Sequence, residues 1–246
     1  MCGREKPLVA TRPTMETTRS RLIHRFSGER LEVVEDILVA EQQVTLFVNR
    51  EKIISTACSP GQLRELAYGF LLSSGRINAA DDVALYREED GLIHVDVRPC
   101  QQIGDPLSIV STFSIRLEQM LKAAAEVHRR GEIFQRTGGT HAVAVCDSTG
   151  GMIFAEDISR TCALEKAIGE ALLSEADFPD RFIFLSSRIS SHMLIKIARC
   201  GIPIVGCVSA PTAQAAELAD KLGICLCGFV RGERLNIYSH EERIII

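Results

Sequence analysis

Apolar runs alternate with amphipathic segments over the C-terminal third of the chain. The pattern predicts strands at residues 181–185, 202–208 and 224–230, with helices at 191–199 and 212–222 between them. Strands joined by helices favour right-handed crossovers and a largely parallel sheet. Ligands bind such sheets at the edge where the parallel strands end, so the residues that follow each strand are the first candidates for a functional site.

The first half of the chain has a different pattern, in which apolar and polar residues alternate with a period of two. Residues 31–58 and 83–98 are therefore predicted to form strands joined by hairpin turns. Between them, Ser59 and Pro60 are expected to open a helix as its N-cap and first residue. This half is thus predicted to be rich in β structure.

The change of pattern divides the sequence into three parts. We expect a flexible lead-in over residues 1–25, a smaller β-rich α+β domain over 26–112, and an α/β domain over 113–246. The lead-in is polar and basic and has no apolar stretch of the kind found in a secretory signal.

Composition narrows the classes of function. The chain has 246 residues and a net charge of −4, which argues against bulk nucleic-acid binding, and it has no apolar run long enough to span a membrane. Its nine cysteines include no Cys-x-x-Cys pair. They are expected to be small buried apolar residues in a reducing compartment, and no metal site is predicted from their spacing.

Small, hydroxylated and cationic residues follow the predicted strands. Arg188 and Ser190 follow one strand, residues 209–212 follow the next, and Arg231 and Arg234 flank a glycine after the third. Guanidinium groups and the free N–H groups of helix N-termini bind phosphate, so an anionic cofactor is the first expectation. The alternatives are helix capping at 190 and 212 and an ordinary turn with solvated charges at 231–234.

Two further residues are candidates for chemistry. Cys100 follows a predicted strand and precedes Gly104 in a loop, where a thiolate could carry sulfur as a persulfide; an ordinary surface cysteine is the alternative. His141 follows a pair of glycines and could donate to a phosphate or shuttle a proton, although a structural histidine at a strand start fits equally well. Neither a Walker motif nor a Gly-x-Gly-x-x-Gly motif is present.

Several short segments along the chain match one protein family. No single segment is decisive, but their order and spacing are specific to that family. They are Asn49 with residues 59–71, residues 137–142, residues 156–160 with 163–166, residues 187–190, residues 209–212, and residues 228–238. In order and spacing they resemble the FdhD/NarQ family of formate dehydrogenase accessory sulfurtransferases. The resemblance extends over most of the chain.

This resemblance implies a cytoplasmic homodimer whose larger domain has a cytidine-deaminase-like, three-layer α/β/α fold. It implies a sulfur carrier that takes sulfur from a cysteine desulfurase and passes it to the molybdenum bis(molybdopterin guanine dinucleotide) cofactor of formate dehydrogenase or a related molybdenum or tungsten enzyme. Cys100 would carry the sulfur, with His141 lining the cofactor site. The GDP-like nucleotide moiety of the cofactor would bind the segment Phe229, Val230, Arg231, Gly232, Glu233 and Arg234.

The sequence departs from the family pattern at several positions. Ile103 stands where the family has a second loop cysteine, and residues 159–162 replace a Gly-Arg-His-Asn sequence. His192 stands where an acidic residue is common. A non-catalytic cofactor chaperone and a regulator that binds free guanine nucleotides therefore remain alternatives. A zinc deaminase is not supported, because Val143 and Ile103 occupy the positions of its glutamate and second cysteine.

Overall fold

The computed structural model describes residues 16–99 and 108–246. Its first element is an antiparallel pair of strands, β1 (Thr18–Ser27) and β2 (Arg30–Val39), which form a two-stranded sheet of their own. The lead-in predicted over 1–25 is therefore wrong from Thr18 onward, because every residue of β1 is paired with one of β2. We call this pair the N-terminal ribbon.

A four-stranded sheet and one helix complete the β-rich part, as the period-two pattern predicted. The strands run in the order β4-β3-β6-β5, and β3 is antiparallel to β4 but parallel to β6. The elements are β3 (Gln42–Val48), β4 (Glu51–Cys58), α1 (Leu63–Ser73), β5 (Val83–Glu89) and β6 (Leu92–Val97).

Helix α1 begins three residues later than predicted. Its N-cap is Gln62, in the left-handed conformation, and not Ser59. Ser59 is buried and uses all its polar groups elsewhere. Its N–H donates to Asp157 over 3.0 Å, its hydroxyl oxygen accepts from the N–H of Ile158, and its carbonyl oxygen accepts from Lys166. These contacts join the β-rich part to the rest of the chain.

The larger part contains a six-stranded sheet in the order β13-β12-β11-β10-β8-β9. The three central strands β10, β11 and β12 are parallel, while β8, β9 and β13 pair antiparallel with their neighbours, so the sheet is mixed. The strands are β8 (His141–Cys146), β9 (Met152–Asp157), β10 (Phe182–Leu185), β11 (Ile204–Cys207), β12 (Cys225–Arg231) and β13 (Arg234–Ser239). Two short strands, β7 (Ile115–Arg116) and β14 (Ile244–Ile245), pair with each other.

Helices cover both faces of this sheet, which confirms the predicted mixed α/β fold. Helix α2 packs on one face over a core cluster that includes Met120, Ala144 and Phe184. Helices α4 and α6 pack on the other face over a cluster that includes Val143 and Leu185. The helices are α2 (Leu117–Arg130), α3 (Glu132–Thr137), α4 (Arg160–Leu173), α5 (Ser191–Arg199) and α6 (Ala213–Leu222).

The β-rich part and the larger part share one hydrophobic cluster. Val44 and Leu46 of β3 belong to the same buried set as Leu164 and Ile168 of α4. Helix α1 packs against α4 along this boundary. The position of α4 is therefore set by the sheet on one side and by α1 on the other.

Candidate functional site

The strand ends that the sequence analysis singled out do meet at one edge of the six-stranded sheet. Strands β10, β11 and β12 are parallel, and β8 starts at the same edge because it is antiparallel to β10. Hydrogen bonds continue past the strand ends: the N–H of Val208 donates to Leu185, and the N–H of Phe229 donates to Ser209. We call this the carboxyl edge.

Three helices begin at the carboxyl edge. Ser159 caps α4 by accepting from the N–H of Cys162, and Thr212 caps α6 by accepting from the N–H of Ala215. Helix α5 begins after Ser190, whose side chain makes no capping hydrogen bond. The N-terminal ends of helices carry partial positive charge, so all three favour an anion at this edge.

His141 lines a cavity of about 220 Å³ at this edge, which we call the His141 cavity. Phe134, Thr140, Ser186 and Val208 are among the other lining residues. The Ser186 hydroxyl oxygen accepts from the N–H of Ala142 over 2.8 Å, which holds its side chain at the start of β8. Burial, and then the charge of nearby Arg160, lower the pKa of His141 below its usual range. The imidazole is therefore neutral in the free protein. An anion bound beside it would favour the protonated, positively charged form.

The predicted cofactor segment 229–234 lies beside this cavity. The Arg231 Nε–H donates to the carbonyl oxygen of Val208 over 2.9 Å, and Val208 also lines the His141 cavity. Arg231 pairs with Arg234 across the tight β12–β13 turn, where Gly232 has a φ of 58°. The turn therefore places two guanidinium groups at the carboxyl edge.

Members of this segment differ in what they can offer a ligand. Val230 is buried, so its side chain belongs to the core and only its backbone could contact a ligand. Phe229 adopts a left-handed φ of 52° at the irregular pairing between β12 and β13. Glu233 is exposed beside the arginines. Cys100, the candidate sulfur-carrying residue, lies outside the described residues, between Pro99 and Ser108.

Glu156 organises the His141 cavity, a role that its position in the sequence does not indicate. Its carboxylate accepts from the backbone N–H groups of Ile133 and Phe134 and from the hydroxyl of Thr140. It thereby holds the start of α3 against β8. Phe134, 46% exposed, is the aromatic side chain that this arrangement presents to the cavity, and its face suits stacking on a planar ring.

A second cavity, of about 330 Å³, lies between the four-stranded sheet and the first turns of α4 and α5. We call it the Glu165 cavity. Glu165 and Lys196 form a buried ion pair there, with 2.8 Å between the carboxylate oxygen and Nζ. Burial raises the pKa of Glu165 and of the Cys162 thiol and lowers that of His192. Four of the positions that depart from the family pattern lie here, since Ser159, Thr161, Cys162 and His192 all line this cavity.

The seven cysteines that the structure describes are all buried and unpaired, as predicted. Burial raises the pKa of Cys207, at the carboxyl edge, to about 12. A thiol of that pKa is protonated at neutral pH and is a poor nucleophile. Among the described residues, no group of three or more histidine, cysteine or acidic side chains is placed to hold a metal ion. In the same ranges, no helix is long and apolar enough to cross a membrane.

Comparison with known proteins gives a consistent result. A sequence model of the FdhD/NarQ family matches residues 39–106 and 100–245. The chain is 32% identical to a sulfur carrier protein FdhD of Bacillus subtilis, over 93% of this chain and 98% of that protein. It is 31% identical to the protein of the same name from Methanothermobacter thermautotrophicus, over 90% of this chain and 96% of that protein.

The fold also matches a solved structure. A formate dehydrogenase accessory protein from Desulfotalea psychrophila superposes with a TM-score of 0.83, covering 94% of this chain and all of that one, at 22% sequence identity. At this identity the match supports the fold.

Proposed function

Because the chain belongs to the FdhD/NarQ family, we propose that it is a sulfur carrier that serves a formate dehydrogenase. In this proposal it takes sulfur from a cysteine desulfurase and passes it to the molybdenum bis(molybdopterin guanine dinucleotide) cofactor, which is its substrate. It would act in the cytoplasm as a homodimer. The observation that carries the proposal is the placement of Arg231 beside the His141 cavity, where its Nε–H donates to the carbonyl oxygen of the cavity residue Val208.

The geometry of the carboxyl edge supports binding of a nucleotide arm of the cofactor. Arg231, which its bond to Val208 holds in place, and Arg234 across the turn offer guanidinium donors for a diphosphate, and His141 can add a further donor. Phe134 offers an aromatic face for the base. These residues do not include an obvious general-base dyad, so the site is better suited to holding an anion than to acid–base chemistry.

Sulfur transfer in this proposal starts at Cys100. Its thiolate attacks the outer sulfur of the desulfurase persulfide, the S–S bond of that persulfide breaks, and the desulfurase leaves as a thiolate. Cys100 then holds the outer sulfur at the oxidation level of elemental sulfur. For delivery as sulfide, a second thiolate attacks the Cys100 sulfur, the S–S bond of the persulfide breaks, sulfide leaves and a disulfide forms between Cys100 and that thiol. Since Ile103 replaces the second loop cysteine, that thiol must come from outside the loop.

Mass spectrometry tests the carrier role directly. We would incubate the protein with a cysteine desulfurase and cysteine, and look for an adduct of one sulfur atom on the peptide that contains Cys100. The adduct should require the desulfurase and should disappear in Cys100→Ala. It should persist in Cys207→Ser, because the Cys207 thiol is buried. No adduct, or sulfur scattered over several cysteines, would contradict the carrier role.

Ile103 favours one alternative, a non-catalytic chaperone that holds the cofactor and docks on the target enzyme. The two functions differ in their dependence on Cys100. The carrier predicts that Cys100→Ala abolishes activation of the target formate dehydrogenase, while the chaperone predicts little change. Binding of the cofactor should be unaffected by Cys100→Ala in either case.

A further inference from the structure

The Glu165 cavity has two walls of different chemistry. One wall is apolar, and it is built from side chains of the four-stranded sheet and of α1, among them Val44, Leu46, Ile93, Leu66 and Phe70. The volume of about 330 Å³ falls at the lower end of the range for small-molecule sites. The cavity therefore has room for a compact ligand with an apolar part.

The other wall is polar, and two helices build it in the same way. Helix α4 contributes Thr161 and Glu165, its second and sixth residues, and α5 contributes His192 and Lys196, also its second and sixth residues. Residues four apart lie on one face of a helix. The two charged residues meet in the buried ion pair. Burial of an ion pair costs desolvation free energy that apolar residues would avoid, so this wall is not an ordinary gap in the core.

The polar wall can make further hydrogen bonds to a ligand. The ion pair joins Nζ of Lys196 to Oε1 of Glu165, so the second carboxylate oxygen, Oε2, can accept from a cationic donor. One turn away, at the start of α4, the backbone N–H groups of Arg160 and Thr161 have no acceptor within the helix. Those N–H groups and the Thr161 hydroxyl suit an anionic group. The same helix face therefore offers a place for a cation and a place for an anion.

The described residues that line the cavity have no net charge. Glu165 and Lys196 cancel each other. Burial, with the charges of Lys196 and Arg199, lowers the pKa of His192, and burial raises the pKa of the Cys162 thiol, so both groups are neutral at pH 7. A ligand with a net charge would bring an uncompensated charge into this partly enclosed space, which is unfavourable. A ligand that carries one positive and one negative group would not.

We propose that the Glu165 cavity binds a zwitterionic α-amino acid with an apolar side chain, such as leucine. Its ammonium group donates to Glu165, its carboxylate accepts from the first turn of α4 at Thr161, and its side chain packs on the four-stranded sheet. Thr161 and Glu165 are one helical turn apart, about 5.4 Å, which the two charged groups of an α-amino acid span with one hydrogen bond at each end. This site is separate from the carboxyl edge and goes beyond the proposed function.

The cavity is accessible from solvent. Ile54, which is 40% exposed, and His192, which is also exposed, both belong to its lining and mark its mouth. The ion pair lies deeper, since Glu165 and Lys196 are both buried. A ligand can therefore enter without separating the β-rich part from the larger part.

Isothermal titration calorimetry on the full chain tests the proposal with three matched probes. They are L-leucine, isocaproate, which lacks the ammonium group, and isoamylamine, which lacks the carboxylate. Leucine should bind saturably, with one molecule per chain. Each of the other two should bind about tenfold to a hundredfold more weakly, because one charge-assisted hydrogen bond is lost. Absence of saturable leucine binding, or equal binding of all three probes, would overturn the proposal.

Two variants test the named contacts. Glu165→Gln should weaken leucine binding about tenfold to a hundredfold, and Thr161→Val, which leaves the ion pair intact, about fivefold. Glu126→Gln is the matched control, because Glu126 pairs with Arg129 on the surface of α2, and it should bind as the wild type does. Circular dichroism shows whether each variant is folded. If Glu165→Gln does not fold, Thr161→Val decides alone, and wild-type affinity in the deciding variant rejects the site.

Hydrogen exchange locates the bound leucine independently. The amides in the first turns of α4 and α5 should exchange more slowly with leucine, while those of the β12–β13 turn should not change. Protection at that turn instead would place leucine at the carboxyl edge and contradict the proposal. Leucine binding should be the same in Cys100→Ala, so failure of this inference and failure of the sulfur-carrier role can be told apart.

Discussion

Gly69 of α1 and Gly169 of α4 face each other at the point where the two helices cross. A methyl group on Gly69 would overlap the carbonyl oxygen of Glu165, and one on Gly169 would overlap the carbonyl oxygen of Glu65. The backbones are therefore in direct contact. This contact seats the β-rich part on the helix whose N-terminus forms part of the carboxyl edge.

Substitution at this crossing should be strongly destabilising. We expect Gly169→Ala to lower the free energy of unfolding by about 3 kcal/mol or more, because backbone atoms cannot move aside as a flexible side chain can. Urea denaturation followed by circular dichroism measures this. Gly131→Ala is the control, since its methyl group would make only ordinary contacts and its φ is −71°. Equal stability of the two variants would show that the helices can separate without cost.

A buried ion pair joins the two parts near the same boundary. Lys166 and Asp157 are almost fully buried, with 2.7 Å between Nζ and the carboxylate, and both also bind Ser59. Removal of one charge leaves the other unpaired in the core. We expect Lys166→Met to cost about 3–5 kcal/mol, and Lys166→Met/Asp157→Asn to cost less than the sum of the single changes.

Denaturation of the four proteins of this double-mutant cycle checks the expectation. Lys122→Met is a suitable control, because Lys122 pairs with Glu118 on the surface at 3.7 Å and should contribute almost nothing. Additive effects of the Lys166 and Asp157 changes would show that the two residues stabilise the fold independently.

Local signals in the sequence were enough to predict the strands and helices of the parallel part of the large sheet. The strands and helices between residues 182 and 231 agree with the prediction to within a few residues, because buried strands are continuous apolar runs and Thr212 and Gly223 cap α6 by local contacts. Strand β1 was missed because its apolar residues are exposed among arginines. Ser59 was misassigned because its partners, Asp157 and Lys166, are distant in sequence.

The sequence predicts those residues of the candidate site whose positions depend only on the order and direction of the strands. His141 and Arg231 lie at the same edge of the sheet because β8 starts where β11 and β12 end, and that follows from the order and direction of the strands. The roles of Glu156 and Phe134 depend on how α3 packs, and no local pattern encodes that packing. The role of Cys100 remains a prediction.

Arg231 should matter most for nucleotide affinity. We expect Arg231→Met to weaken GDP binding about tenfold to a hundredfold, because a charge-assisted hydrogen bond to phosphate and the bond to Val208 are both lost. Arg231→Lys keeps the charge but loses the Nε–H donor. Its affinity for GDP should therefore lie between those of the wild type and Arg231→Met. Isothermal titration calorimetry with GDP measures the affinities. Arg87→Met, on the exposed face of the four-stranded sheet, should bind as the wild type does, and an equal loss there would indicate a non-specific effect of charge.

GDP binding should also depend on pH through His141. Burial and Arg160 lower the pKa of this imidazole in the free protein, and a bound diphosphate would raise it again. Affinity should therefore be highest below the pKa of the free protein and should fall as pH rises through the pKa of the complex. GDP takes up a proton of its own in this range, so the wild type is to be compared with His141→Asn at each pH from about 5 to 8. The affinity of His141→Asn for GDP should vary with pH only through the protonation of GDP itself. If both proteins give the same pH profile, the diphosphate does not bind beside His141.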